Sequence, residues 1–281
     1  MANLVLQSRF LNGKTKHNAL IITMKKLFFV LTSLLCFNGI IKAQELEYNK
    51  YSAFKPGEIL NYKLKYGFFT AAEASLKVSA TDVKFNGKPT YHLTVEGSTS
   101  GSFDIFYKVR NRYDSYIDQK EFTPFLYTEN IREDKYTRND KVRFYQESKS
   151  VIGKKGTFKS PASQTFDLVS TYYFARNLNL AGVKAGDQFT IHYFLDDEIT
   201  PLTIEYVGKE TIKTNLGKIE CIKFSPSIRP GRIFRKNSRL YLWISNDANR
   251  IPVKAQAEVI VGAITMEITS ATGLKESLKT K

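Results

Sequence analysis

Apolar and polar positions alternate with a period of two along most of this 281-residue chain. Tyr62, Leu64 and Tyr66 alternate with Asn61, Lys63 and Lys65; beyond Gly67 to Thr70, the apolar residues Ala72, Ala74, Leu76, Val78 and Ala80 alternate with Glu73, Ser75, Lys77 and Ser79. Successive side chains of a strand point to opposite faces, so this pattern predicts a hairpin with one packed face and one wet or cavity-lining face. Asn86-Gly87-Lys88-Pro89 reads as the next turn, and Tyr91, Leu93 and Val95 continue the alternation in a third strand. Similar runs recur at 108–117, 125–131, 142–147, 189–195, 202–209, 219–224, 239–244, 253–260 and 263–268. Turn residues separate several of them, notably Asn215-Leu216-Gly217 and Asn246-Asp247-Ala248-Asn249.

One segment breaks the rhythm. From Phe166 to Leu178 the spacing of Phe166, Val169, Tyr173 and Phe174 fits a helical stripe, with Thr165 as the expected N-cap. The reading is therefore an all-β, mainly antiparallel chain with one short helix near 166–178. A strongly curved sheet, as a barrel, half-barrel or sandwich, gives alternating strands a packed face and hides most of their edges. No repeat, low-complexity tract or flexible linker divides residues 44–281, so they are expected to form a single β-rich domain. Its two halves, about 44–160 and 185–281, are joined by the helical segment.

The N-terminal pattern is different. Met24-Lys25-Lys26 precedes the apolar run 27–37, then Ile40-Ile41-Lys42-Ala43-Gln44. Paired cations, an apolar core and a small residue before polar sequence describe a secretory signal peptide over 24–43, cleaved near Ala43/Gln44, with a periplasmic or otherwise exported product. The run is too short and too interrupted for a membrane anchor. Ser33-Leu34-Leu35 before Cys36 does not suit a lipoprotein signal. Residues 1–23 contain no acid and no clear apolar periodicity, and are read as translation from an upstream start.

Removing the leader lowers the formal charge from +15, leaving 36 Lys and Arg against 27 Asp and Glu, a formal +9. Such a surplus favours anionic partners: acidic polysaccharide, phospholipid headgroups or lipopolysaccharide, with nucleic acid disfavoured by export. Cys221 is then the one remaining cysteine, which excludes an intramolecular disulfide; its strand-like setting reads as a buried small hydrophobe.

Several short segments resemble the bacterial domain of unknown function 3108 family. They are Pro56-Gly57-Glu58-Ile59-Leu60-Asn61-Tyr62 with Tyr66-Gly67-Phe68-Phe69-Thr70-Ala71-Ala72-Glu73-Ala74, then Arg112-Tyr113-Asp114-Ser115-Tyr116-Ile117-Asp118, Phe166-Asp167-Leu168-Val169-Ser170-Thr171-Tyr172-Tyr173, and Leu242-Trp243-Ile244-Ser245-Asn246-Asp247 leading into Arg250-Ile251-Pro252-Val253. The resemblance implies an exported, largely β protein. It implies no activity and supplies no catalytic residue.

The residues themselves offer little catalytic chemistry. After the leader the histidines are His92 and His192, both in alternating strands, and no glycine-rich phosphate loop or metal-type Cys/His spacing appears. Hence no cofactor and no metal are expected. Asp196-Asp197-Glu198 reads as a hydrated hairpin loop, with calcium or acid/base chemistry as the competing reading. Asp114 and Asp118 share a strand face and are expected to pair with Arg110 and Arg112.

The cations are more suggestive. Lys108, Arg110 and Arg112 alternate along one strand face, placed to line a groove, with Tyr107 and Tyr113 on the other face. A second cluster, Arg229, Arg232, Arg235, Lys236 and Arg239, occupies a long basic connection. Guanidinium groups suit bidentate phosphate or carboxylate binding; the plainer reading is a charged edge that prevents aggregation. Trp243 either packs in a second core or marks a binding face. The expected function is a noncatalytic envelope protein binding an amphipathic or acidic component such as a lipid, lipoprotein or polysaccharide, with peripheral membrane contact and no transmembrane segment after the leader. Two alternatives stand beside it. A carboxylate-dependent carbohydrate hydrolase or lyase requires at least two of Asp114, Asp118, Asp196, Asp197 and Glu198 to share a pocket. A structural or assembly factor requires an apolar surface patch instead.

Overall fold

The computed structural model describes Tyr48 and residues 52–101, 103–227, 238–259 and 262–281. The proposed leader over 24–43, the upstream residues 1–23 and the basic residues Arg229, Arg232, Arg235 and Lys236 lie outside them.

Strands account for most of the described chain: β1 (Ile59–Tyr66), β2 (Phe69–Phe85), β3 (Lys88–Thr99), β4 (Arg110–Asp118), β5 (Pro124–Glu133), β6 (Tyr136–Tyr145), β7 (Ser150–Gly153), β8 (Gly156–Lys159), β9 (Gln188–Leu195), β10 (Glu198–Thr214), β11 (Gly217–Pro226), β12 (Leu240–Ser245), β13 (Pro252–Glu258) and β14 (Ala263–Thr272). Two helices interrupt them, α1 (Phe103–Phe106) and α2 (Leu168–Ala175). All fourteen strands form one antiparallel sheet in the order β8-β7-β6-β5-β4-β3-β2-β1-β14-β13-β12-β11-β10-β9. Every strand except β8 pairs with its successor in sequence, and the last, β14, pairs with β1. The pairing of β1 with β14, Tyr62 opposite Ile268, joins the two halves into one curved surface.

The hairpins follow from local turn chemistry. Asn86 and Gly87 take φ of 50° and 76°, and Asp196 and Asp197 take 52° and 59°. Positive φ at both central residues makes the two-residue turn whose twist matches that of paired strands, and Asn, Asp and Gly tolerate it best. The acidic triplet is thus a hairpin turn between β9 and β10.

The sheet's edges, β8 and β9, are linked by the segment that carries α2, and they approach one another through side chains. Phe158 and Phe194 have ring centroids 5.2 Å apart. Arg138 Nη1 lies 2.5 Å from Asp196 Oδ1 across the same seam. A β-carbon on Gly153 would stand 2.5 Å from Asp197 Oδ1 and 2.6 Å from Phe194, so any larger residue there would displace these side chains at the seam. Residue 166 covers the β9 edge with a parallel bridge: Phe166 N donates to His192 O at 2.9 Å, and Phe194 N donates to Phe166 O at 2.8 Å. Edge backbone that would otherwise template aggregation is thereby partly satisfied.

Helix α2 packs inside the curve, with Val169, Ser170, Thr171, Tyr173 and Phe174 all buried. The expected N-cap Thr165 is corrected to Asp167, whose Oδ1 accepts from Val169 N and Ser170 N at 2.8 Å each. Ser170 Oγ returns the contact by accepting from Asp167 N at 2.9 Å, completing a capping box. Asp167 wins the position because its second oxygen also accepts from Ser115 Oγ of β4 at 2.7 Å, which ties the helix start to the sheet. Burial pushes its carboxyl pKa up, with those hydrogen bonds opposing the shift.

The main core gathers α2 with the concave face of the sheet, including Leu93, Ile117, Phe144, Ile191, Phe224 and Ile244. A second cluster joins Leu60, Tyr62, Cys221, Trp243, Val253 and Ile268 and is sealed by Leu274 and Leu278. The C-terminal segment that carries these leucines is held where Lys281 N donates to Lys218 O at 2.8 Å. Cys221 is fully buried there, and burial pushes its thiol pKa up to about 12.

Candidate functional site

Alternation places every second residue of β1 to β5 on the sheet face away from α2, and strand register aligns them in rows. One row runs Lys63, Glu73, Ser98, Arg110. The adjacent row runs Asn61, Ser75, Glu96, Arg112, Asn130. Together with Arg132 they line a groove of about 610 Å³ across five strands. Arg110 and Arg112, singled out by their alternation, do meet on this groove. Lys108 belongs to the same arc but does not line it.

The groove holds four cations against two carboxylates. Arg110 is committed to Asp104, with bonds of 2.6 and 2.9 Å. Arg112 donates to both oxygens of Asp114 at 2.8 Å and to Glu96 at 3.0 Å. Glu96 also receives Lys77 Nζ at 2.7 Å. These pairs keep the acids ionised: a hydrogen bond from Lys77 lowers the Glu96 pKa, and one from Arg110 holds Asp104 at about 2. At Asp114 burial works against ionisation, but hydrogen bonds from His92 and Arg112 outweigh it and hold the carboxyl well below the usual carboxylate range. The pairing also fixes both guanidinium groups in position. Lys63 and Arg132 are exposed, and neither makes an ion pair among the described residues; Arg132 Nε donates to Asn130 Oδ1 at 3.1 Å. Uncommitted positive charge in the groove therefore sits on these two side chains.

Next to the groove, His92 stacks on Tyr116 with parallel rings 4.5 Å apart and bonds Asp114 Oδ1 at 2.7 Å. Thr94 Oγ1 lies 3.4 Å from the same ring nitrogen, Nε2. A relay that activates a hydroxyl needs the carboxylate on one imidazole nitrogen and the nucleophile on the other. Both contacts fall on one nitrogen here, so the cluster orders the sheet surface and does not prepare a nucleophile.

The acids required by a hydrolase do not converge. Asp114 belongs to the surface network just described. Asp118, at the far end of β4, accepts from Lys120 N at 2.7 Å and Glu121 N at 2.9 Å and so closes the β4–β5 turn. Its expected pairing with Arg110 or Arg112 is replaced by this capping role. Asp196 pairs with Arg138 at the seam, and Asp197 Oδ1 accepts from Lys155 N at 3.2 Å. Glu198 follows them into β10. Among the described residues no group of three His, Cys, Asp or Glu is placed to hold a metal ion.

Trp243 is 4% exposed and belongs to the second core cluster. In register it stands between Lys223 and Lys254, whose Nζ atoms lie 4.8 and 5.0 Å from its ring, and its indole N–H donates to Glu210 Oε2 at 2.9 Å. A ring covered on both sides by lysines and bonded through its nitrogen is a packing element, the first of the two readings its sequence allowed.

A smaller cavity, about 50 Å³ and almost wholly apolar, lies between α2 and the β9–β12 strands and is lined by Tyr172, Phe189, Ile204, Phe224 and Leu242. Among the described residues no helix is long and apolar enough to cross a membrane.

The fold has relatives among solved structures. A beta-barrel-like protein of domain of unknown function DUF1849 from Brucella abortus superimposes with a TM-score of 0.50 over 78% of this chain and 97% of that one, at 10% identity. A candidate lipoprotein from Parabacteroides distasonis gives 0.36 over 80% and 100% at 10% identity, and the hypothetical protein CT021 from Chlamydia trachomatis gives 0.34 over 81% and 92% at 7%. The first likeness bears out a barrel-like fold; the other two are too distant to inform it. No curated protein matches the chain. The family model described as a protein of unknown function, DUF3108, matches residues 61–269, in agreement with the resemblance read from the short segments.

Proposed function

The chain belongs to the DUF3108 family of proteins of unknown function, and we propose that it is an exported, noncatalytic envelope protein that holds an anionic envelope molecule in the groove across β1 to β5. The observation that carries this reading is the groove's unequal charge, with Lys63 and Arg132 uncommitted beside two guanidinium groups already fixed by their own carboxylates. A phosphate or carboxylate placed there meets the Lys63 ammonium and the guanidinium of Arg132, whose Nε is already held by Asn130, so part of the ordering cost of binding is met beforehand. Export is supported by the leader pattern at 24–43. The acidic component is a phospholipid headgroup or a uronate-bearing polysaccharide, since both present the oxyanions that ammonium and guanidinium groups bind.

Charge reversal tests the site. The double variant Lys63→Glu/Arg132→Glu is expected to bind soluble dihexanoyl-phosphatidylglycerol or polygalacturonate at least about tenfold more weakly, by titration calorimetry at low salt. Both side chains are exposed, so the thermal unfolding profile should be unchanged. Binding equal to that of the parent protein by a folded variant rejects the groove. Whichever of the two probes binds the parent names the source of the oxyanion.

A further inference from the structure

Because consecutive strands run antiparallel, the connections β1–β2, β3–β4 and β5–β6 all emerge at one end of the sheet. The most exposed apolar side chains of the described chain cluster on these connections: Phe68 is 102% exposed, Phe106 84%, Ile105 82% and Phe69 67%, with Tyr136 half exposed. The three connections are separated by two strands each, so their tips stand about 10 Å apart along one rim. Isolated apolar side chains are ordinary on a surface, but a run of large ones at neighbouring turn tips marks an interaction site.

The rim also carries cations. Lys108 follows α1, Lys135 lies in the β5–β6 turn and Lys154 in the β7–β8 turn; all three are exposed and make no ion pair among the described residues. Apolar tips set on separate prongs, with lysines between and behind them, do not form the flat, continuous face that a protein partner or a second copy would cover. They do suit a layered surface, with apolar material below and anionic groups above, where aromatic rings sink to the headgroup boundary and lysines stay with the phosphates.

We infer that this rim docks on an anionic phospholipid bilayer through Phe68, Phe69, Ile105 and Phe106, with Lys108 and Lys135 held at the lipid phosphates. The rim is distinct from the groove, so the inference stands whatever the groove holds. Docking would orient the molecule with β1 to β5 rising from the membrane and the groove beside the headgroup layer.

The test uses the chain from Gln44 and vesicles of phosphatidylethanolamine with phosphatidylglycerol, scored by co-sedimentation. The parent protein is expected to partition onto these vesicles and to leave neutral phosphatidylcholine vesicles largely unbound. Phe68→Ser/Phe106→Ser is expected to partition about tenfold more weakly, whereas Val83→Ser, an exposed apolar position in β2 away from the rim, changes nothing. A direct readout comes from Phe68→Trp, since the native Trp243 is buried: quenching of the new indole by lipids brominated on their acyl chains reports insertion. The inference is overturned if the parent protein ignores anionic vesicles, if the double serine variant partitions as the parent does, if the new indole escapes quenching, or if the serines act by dissolving a dimer. Groove variant Lys63→Glu/Arg132→Glu should retain quenching, which separates failure at the groove from failure at the rim.

Discussion

Replacing Arg176 with alanine is expected to lower the unfolding free energy by about 3–5 kcal/mol, the usual cost of stripping one partner from a buried ion pair. Arg176 follows the last turn of α2 and is almost completely buried, as is its partner Glu58 just before β1. The two meet in a forked pair, Nη1 to Oε1 at 2.6 Å and Nη2 to Oε2 at 2.8 Å. The same guanidinium donates to Asn249 O from Nη2 at 2.7 Å and from Nε at 3.1 Å, and to Ala53 O at 3.3 Å. The rings of Phe54, Tyr172 and Tyr173 surround it, with centroids 5.3 to 5.7 Å from its central carbon. One side chain therefore fastens the helix end to the strand entry before β1 and to the β12–β13 connection. Alanine would leave a buried carboxylate and two buried carbonyls without their donor. Urea unfolding followed by circular dichroism measures the effect, and a loss below about 1 kcal/mol would contradict the keystone role.

The second large effect is expected at Phe174. Its ring is fully buried and meets Phe166 at 4.4 Å and Tyr48 at 5.5 Å between centroids. Phe174→Ala removes a large apolar volume at the heart of the main cluster, where helix, sheet and Tyr48 converge, and is expected to cost about 3–5 kcal/mol. The cost should show as a lower urea midpoint with an unchanged slope, because the lost contacts weaken the core without altering how much surface unfolding exposes. A midpoint equal to the parent's would mean that α2 is not the packed centre of the sheet.

Much of this architecture is legible in the sequence because its information is local. The hairpin at 62–80, the Asn86-Gly87 turn and the later alternating runs each depend on neighbours within a dozen residues, and strand period and turn chemistry reveal them directly. The helix is visible for the same reason, but its cap is not: Thr165 and Asp167 are equivalent by sequence, and Ser115, 52 residues away, decides between them. The short strands β7 and β8 are not legible in the pattern because Ser150–Gly153 and Gly156–Lys159 are four residues each, too short for alternation to stand out. Helix α1, of four residues, is too brief to generate periodicity.

Non-local pairing explains what remained hidden in the site. Arg110 and Arg112 stand out by alternation within one strand. Lys63, Glu73, Glu96 and Arg132 come from four other strands, and only the order β5-β4-β3-β2-β1 makes them neighbours. The exposed phenylalanines at 68, 69 and 106 are likewise indistinguishable in sequence from core residues until the turns that carry them are placed at one end. Trp243 allows two readings by sequence because it shares a strand face with Arg239 and Tyr241, a pattern that suits both a second core and a binding face. Register with Lys223 and Lys254 settles which.

The most direct test of the anion-binding account is amide chemical-shift mapping of the chain from Gln44 during titration with dihexanoyl-phosphatidylglycerol and, separately, polygalacturonate. The account predicts saturable shifts for at least one of these probes, concentrated at Lys63, Glu73, Ser98, Arg110, Arg112 and Arg132, with the amides of Phe224 and Leu242 beside the small apolar cavity unmoved. Shifts confined to that cavity, or no saturable shift in the groove with either probe, would contradict it.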